Sequence, residues 1–162
     1  MKHHSFFLNT FAGFLLLTLF SSAYAEGGNK RTTISKPPTL LSFHADLDGA
    51  AALPGNSESA SGSVVATYDV STHVLKFYAH FVGLSGQATN ARFHGPAAFD
   101  RTAGATVAAP RPEARLVEGT AWLDREEEQD LLAGRWYFNV TTEKHPAGEI
   151  RGMVHLQRTE PQ

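Results

Sequence analysis

His73-Val74-Leu75-Lys76-Phe77-Tyr78-Ala79-His80-Phe81-Val82 is the stretch that decides the fold. Leu75, Phe77, Ala79 and Phe81 occupy every second position, and Lys76, Tyr78 and His80 stand between them. Successive side chains of a β-strand leave on opposite faces, so a period of two makes one face core and the other surface. An amphipathic helix needs its apolar residues three and four apart instead.

Moving outward, runs of the same kind predict further strands at Leu40–Leu47, Gly62–Val70, Thr89–His94, Thr106–Ala109, Leu116–Leu123, Arg135–Thr141 and Glu149–Leu156. Glycine, proline, serine and asparagine separate them at the intervals of a sandwich or barrel. The expectation is an all-β fold, a Greek-key sandwich or barrel of about eight antiparallel strands. One segment departs from the pattern. Asp124 has an acid three residues on, Leu131-Leu132 follows, and Gly134 can close a turn, which predicts one short helix. Acids in its first turn favour the positive end of the helix dipole, so Glu126, Glu127 and Glu128 need no catalytic explanation.

The beginning of the chain points to export. Met1-Lys2-His3-His4 is a basic start, Phe6 to Phe20 is apolar, and Ala23-Tyr24-Ala25 is a small-x-small cleavage site before Glu26. We therefore expect a signal peptide at residues 1–25, a flexible linker at 26–38 with Gly27-Gly28 and Pro37-Pro38, a β domain at 39–158 and a tail at 159–162. Periplasm or external medium is the expected destination, with no membrane attachment after cleavage. The chain contains no cysteine, so no disulfide staples the fold and packing must hold it. The mature chain would carry 13 basic against 16 acidic residues, a net charge of −3, and its longest basic run is Lys30-Arg31. Nucleic acid is not an expected partner, because a phosphate backbone demands several positive charges on one face.

Familiar enzyme signatures are missing: no G-x-S-x-G elbow, phosphate-binding glycine loop, H-E-x-x-H or dinucleotide fingerprint occurs. Asn139-Val140-Thr141 fits a glycosylation sequon, but it falls inside a predicted strand. Alternation places Asn90, Arg92 and His94 on one face of their strand, and Tyr137, Asn139 and Thr141 on one face of theirs. Glu149 and Arg151 likewise alternate together, opposite Ile150 and Gly152, and a pairing across strands is expected of them. Gly95-Pro96 and His145-Pro146-Ala147-Gly148 read as turns.

Four segments carry a family resemblance in a fixed order. They are Val82-Gly83-Leu84, Ala91-Arg92-Phe93-His94-Gly95-Pro96-Ala97, Leu132-Ala133-Gly134-Arg135-Trp136-Tyr137-Phe138-Asn139-Val140, and His145-Pro146-Ala147-Gly148-Glu149-Ile150-Arg151-Gly152. From about Leu41 to Leu156 the chain resembles a CHRD domain, the module named after chordin. The resemblance implies an extracytoplasmic β domain with no established catalytic activity, which favours binding over catalysis. It also implies that three imidazoles could converge as metal ligands in many members, two of which are here replaced by Arg92 and Thr141. A guanidinium is a fixed cation and no ligand. His94 remains, with His145 as its candidate partner for copper or zinc.

The leading expectation is a non-enzymatic exported module with a binding or structural role, its partner a protein or a small molecule. Its candidate ligand-binding residues are Arg92, His94, Asn139, Glu149 and Arg151, and Arg92 with His94 could take an anion such as a carboxylate. Two alternatives remain: a copper- or zinc-binding protein similar to superoxide dismutases, and a hydrolase of a type the sequence does not name.

Overall fold

The computed structural model describes residues 39–114 and 116–157. The expected signal peptide, linker and C-terminal tail lie outside them. The elements are β1 (Leu40–Asp48), β2 (Ser61–Asp69), β3 (Val74–Val82), β4 (Ala88–His94), β5 (Ala105–Ala108), β6 (Leu116–Trp122), α1 (Arg125–Leu132), β7 (Tyr137–Thr142), β8 (Ile150–Met153) and β9 (His155–Leu156). The expected all-β class and the single short helix are both present. The last expected strand is two, because Val154 sends its amide to the Trp136 carbonyl between β8 and β9.

Every strand pairing is antiparallel, in the order β5-β4-β7-β8-β1-β2-β3-β6, with β9 added to β1. β1, β2 and β3 form a meander, whereas β3 goes on to pair with β6 and β4 with β7, the crossed connections of a Greek key. Val107 of β5 and Val117 of β6, from the two ends of that order, enter the same core. The sheet therefore curls into a nearly closed barrel.

The core is the alternation made solid. Leu75, Phe77, Ala79 and Phe81 of β3 are buried, and so are Phe43, Ala45 and Leu47 of β1 and Val64, Ala66 and Tyr68 of β2. Phe93 is the aromatic hub: its ring meets Phe77 at 5.0 Å, Phe138 at 4.8 Å and Trp136 at 5.7 Å between centroids. The first two contacts are edge-to-face, the arrangement that ring quadrupoles prefer. Gly152 is required by a close approach, since a Cβ there would lie 1.9 Å from the Asp46 carbonyl oxygen of β1.

The helix forms for the reasons its sequence supplies. The Asp124 carboxylate accepts from the amides of Glu126 and Glu127, each at 2.9 Å, and the Glu127 carboxylate accepts from the Asp124 amide. At the other end Gly134 adopts φ +69°, donating to the Leu131 carbonyl, while Arg135 donates to that of Asp130. Leu131 seals the helix onto the barrel, whereas Leu132 stays exposed.

β7 departs from the simple inside and outside of a half-buried strand: all six of its residues are buried. Phe138 and Val140 enter the core, while Tyr137, Asn139 and Thr141 on the outer face are 3%, 8% and 9% exposed. That covered polar face is where the candidate site lies.

Candidate functional site

Register alone brings four of the five expected binding residues together. Across β4 and β7, Arg92 stands opposite Asn139, His94 opposite Tyr137, and Asn90 opposite Thr141. Across β7 and β8, Asn139 stands opposite Arg151. Arg92, Asn139 and Arg151 thus form one row over three strands, with His94 and Tyr137 in the neighbouring row.

Tyr137 is the centre of this face. The His94 ring stacks on it at 4.9 Å and 6° between planes, and the Arg151 guanidinium carbon lies 3.8 Å from its centroid. Partly desolvated cation–π contacts of this kind contribute about 1–2 kcal/mol. The Tyr137 hydroxyl accepts from the Ala103 amide at 3.0 Å and donates to the Ala103 carbonyl at 3.3 Å. The same carbonyl lies 3.1 Å from His94 Nδ1, and Arg151 Nη2 donates to the Arg101 carbonyl at 2.6 Å. Side chains from three strands therefore hold residues 101–103 over the face.

A carbonyl only accepts, so His94 carries its proton on Nδ1 and leaves Nε2 as the acceptor nitrogen. Burial lowers the pKa of His94, and the charges of Arg92 and Arg151 lower it further, against the opposing effect of the Ala103 bond. His94 is thus neutral at pH 7. Arg92 donates to the Asn90 side chain, and the Asn139 amide donates to the Ala147 carbonyl at 3.0 Å. Gly148 makes room for that amide: it adopts φ +149°, and a Cβ there would lie 2.3 Å from Asn139 Oδ1. Buried and bonded in this way, the asparagine of the sequon is closed to glycosylation in the folded chain.

The expectation that Glu149 and Arg151 share one face is corrected, whereas each does bond to other segments of the chain. Glu149 precedes β8, immediately after Gly148, so the strand alternation does not extend to it. Its carboxylate accepts from the Ser85 amide at 2.6 Å, the Ser85 hydroxyl at 2.7 Å and the Thr142 hydroxyl at 2.6 Å. Its carbonyl accepts from the Asn56 side chain at 2.9 Å. Burial pushes its pKa up, but the hydrogen bonds from Thr142 and Ser85 outweigh that and hold it below the ordinary carboxylate value. Glu149 ties three distant segments and belongs to the frame of the site.

His94 and His145 do not meet either. His94 is beside Tyr137, at one end of β7, whereas the His145 amide binds the Thr142 hydroxyl at the other end and its Nε2 lies 3.3 Å from Glu58. Five residues of strand, about 17 Å, separate these anchor points, against the roughly 2 Å from each nitrogen that a shared ion needs. Positions 92, 94 and 141 do share a face, as the three-imidazole pattern requires. The residues present do not fit a metal there: Arg92 is a fixed cation, and the Thr141 hydroxyl is 2.8 Å from that of Thr89. Among the described residues no three histidine, aspartate or glutamate groups converge as a ligand set.

Tyr137 was visible as an outward residue of its strand, but nothing marked it as the platform between His94 and Arg151. Ser85 and the 101–103 segment carried no local signal at all, since their partners are 64, 50 and 34 residues away.

Comparison with curated proteins and with solved structures gave no significant match. The family profile described as CHRD domain matches residues 43–154, which is more than half of the chain and includes every residue of the site. On that match, reinforced by a barrel whose β4, β7 and β8 carry the resembling segments in register, the chain belongs to the CHRD domain family.

Proposed function

We propose that this chain is an exported, non-enzymatic β module that binds a partner, a protein or a small molecule, in the periplasm or outside the cell. The observation that carries the reading is the face of β4, β7 and β8. There Arg92, His94, Tyr137, Asn139 and Arg151 stand on adjacent strands of a packed barrel, a rigid platform of the kind that recognition needs. The chemistry of the face also supports binding. It holds hydrogen-bond donors, two fixed cations and a neutral imidazole, and among the described residues His94 has no hydrogen bond to a serine, threonine or carboxylate that it could activate. The basic start, apolar run and Ala23-Tyr24-Ala25 site support export.

Two measurements test this. Expression of the full chain should yield an extracytoplasmic product beginning at Glu26, read by mass spectrometry; an intact chain in the cytoplasm refutes export. Immobilised mature protein should capture a component of the extracytoplasmic fraction of its source cells, and Arg92→Glu should abolish capture while Lys76→Glu, on β3, leaves it intact. Equal capture by both variants would show that this face is not the binding surface.

A further inference from the structure

Arg151 is only 2% exposed, yet no carboxylate lies within ion-pairing reach of it among the described residues. Its Nη2 has the Arg101 carbonyl, its plane has the Tyr137 ring, and its Nη1 has no hydrogen-bond partner among the described residues. Buried charges in proteins are as a rule paired, because an uncompensated one forfeits several kcal/mol of hydration. The acid nearest in the ladder is Asp48, opposite Arg151 on β1, but that carboxylate is exposed and accepts from the Ala51 amide at 2.7 Å. Arg92 repeats the pattern in the same row: it is half-buried, its partner is the neutral Asn90, and among the described residues no ion pair reaches it.

Two strand spacings, about 10 Å, separate the backbones of Arg92 and Arg151, within reach of an arginine side chain. Arg92 turns to Asn90 and Arg151 to Tyr137 and the Arg101 carbonyl, so sharing one small group requires Arg92 to leave Asn90. A guanidinium presents a fork of N–H donors that matches a carboxylate in shape and charge. We propose that the row Arg92–Asn139–Arg151 receives a carboxylate of the bound partner, which takes the vacant donor of Arg151 and the charge of Arg92. The inference rests on the binding reading above and names the chemistry recognised. The Nε2 of His94, which makes no hydrogen bond among the described residues, adds an acceptor in the neighbouring row, which suits a ligand carrying a hydroxyl or amide next to its carboxylate.

The probes are sodium acetate and sodium lactate, with sodium chloride at matched ionic strength as the reference and sodium phosphate as a second anion. Thermal unfolding of the mature protein should show a saturable rise with acetate and a stronger one with lactate, since a ligand that binds only the folded state stabilises it. Arg92→Gln should weaken the apparent acetate affinity at least tenfold without changing the fold, read by circular dichroism. Arg151→Met should abolish the effect; if that variant fails to fold, Arg92→Gln carries the test. Acetate and lactate rising no further than chloride overturns the proposal, as does a response to phosphate alone. So does acetate binding that appears only in Asp48→Asn, since Asp48 is then the counter-ion of Arg151. These failures leave the capture experiment unaffected, so the binding reading stands or falls separately.

Discussion

Glu149 and Arg151 are two residues apart, both buried, and oppositely charged, yet the barrel treats them in opposite ways. Glu149 is fully enclosed and has a donor for each carboxylate oxygen, drawn from Ser85 and Thr142. Arg151 is almost as enclosed and, among the described residues, lacks both a counter-ion and a partner for Nη1. A satisfied buried charge is part of the frame, because its removal strands the groups that point at it. An unsatisfied one weakens the frame and is kept most simply where something outside the chain completes it. Proximity in sequence therefore says little about role; what each side chain meets decides it.

The largest effect expected is that of Glu149→Ala. It leaves the Ser85 amide and the hydroxyls of Ser85 and Thr142 without their acceptor and should cost about 3–5 kcal/mol in urea unfolding. Acid sharpens the same point. Because the folded pKa of Glu149 is depressed, its contribution is present above the unfolded value near 4.5 and is lost as pH falls through the folded one. The wild-type stability curve should fall on that limb, and Glu149→Gln should flatten it; an unchanged slope would mean that the carboxylate is not ionised in the frame.

Arg151→Met should cost less than about 2 kcal/mol, since the cation–π contact and one hydrogen bond lost are offset by removing an uncompensated charge. A penalty equal to that of Glu149→Ala would break the comparison and make Arg151 a frame residue as well. The smallest effect belongs to His94→Gln, about 1 kcal/mol at pH 7 for the stack on Tyr137 and the Ala103 bond. Its pH dependence has a definite sign. With the folded pKa depressed below 6.5, the unfolded chain binds a proton first, so wild-type stability declines as pH falls below 6.5. The urea midpoint of His94→Gln should change less between pH 7 and 5.5 than that of the wild type.

Much of the barrel was legible in the sequence because alternation reports burial directly. Leu75, Phe77, Ala79 and Phe81 line the core as their spacing requires. The helix between Asp124 and Gly134 followed from its capping box and its terminal glycine, both local devices. The site was legible only in part. Arg92, His94 and Asn139 share a face as their parity predicts, but Glu149 broke parity because the conformation of Gly148 ends the regular strand before it. The His94 and His145 pair failed because proximity across a barrel depends on register, which alternation does not specify.

By itself the sequence determined the fold class, the helix, the absence of disulfides and the family, all of which rest on short-range patterns or on motif order. Only the tertiary structure decided that Arg92, Asn139 and Arg151 form one row, that Tyr137 lies between His94 and Arg151, and that Glu149 answers to Ser85 and Thr142. The physical reason is that a buried charge is defined by its partners, and here those partners come from segments as many as 64 residues apart.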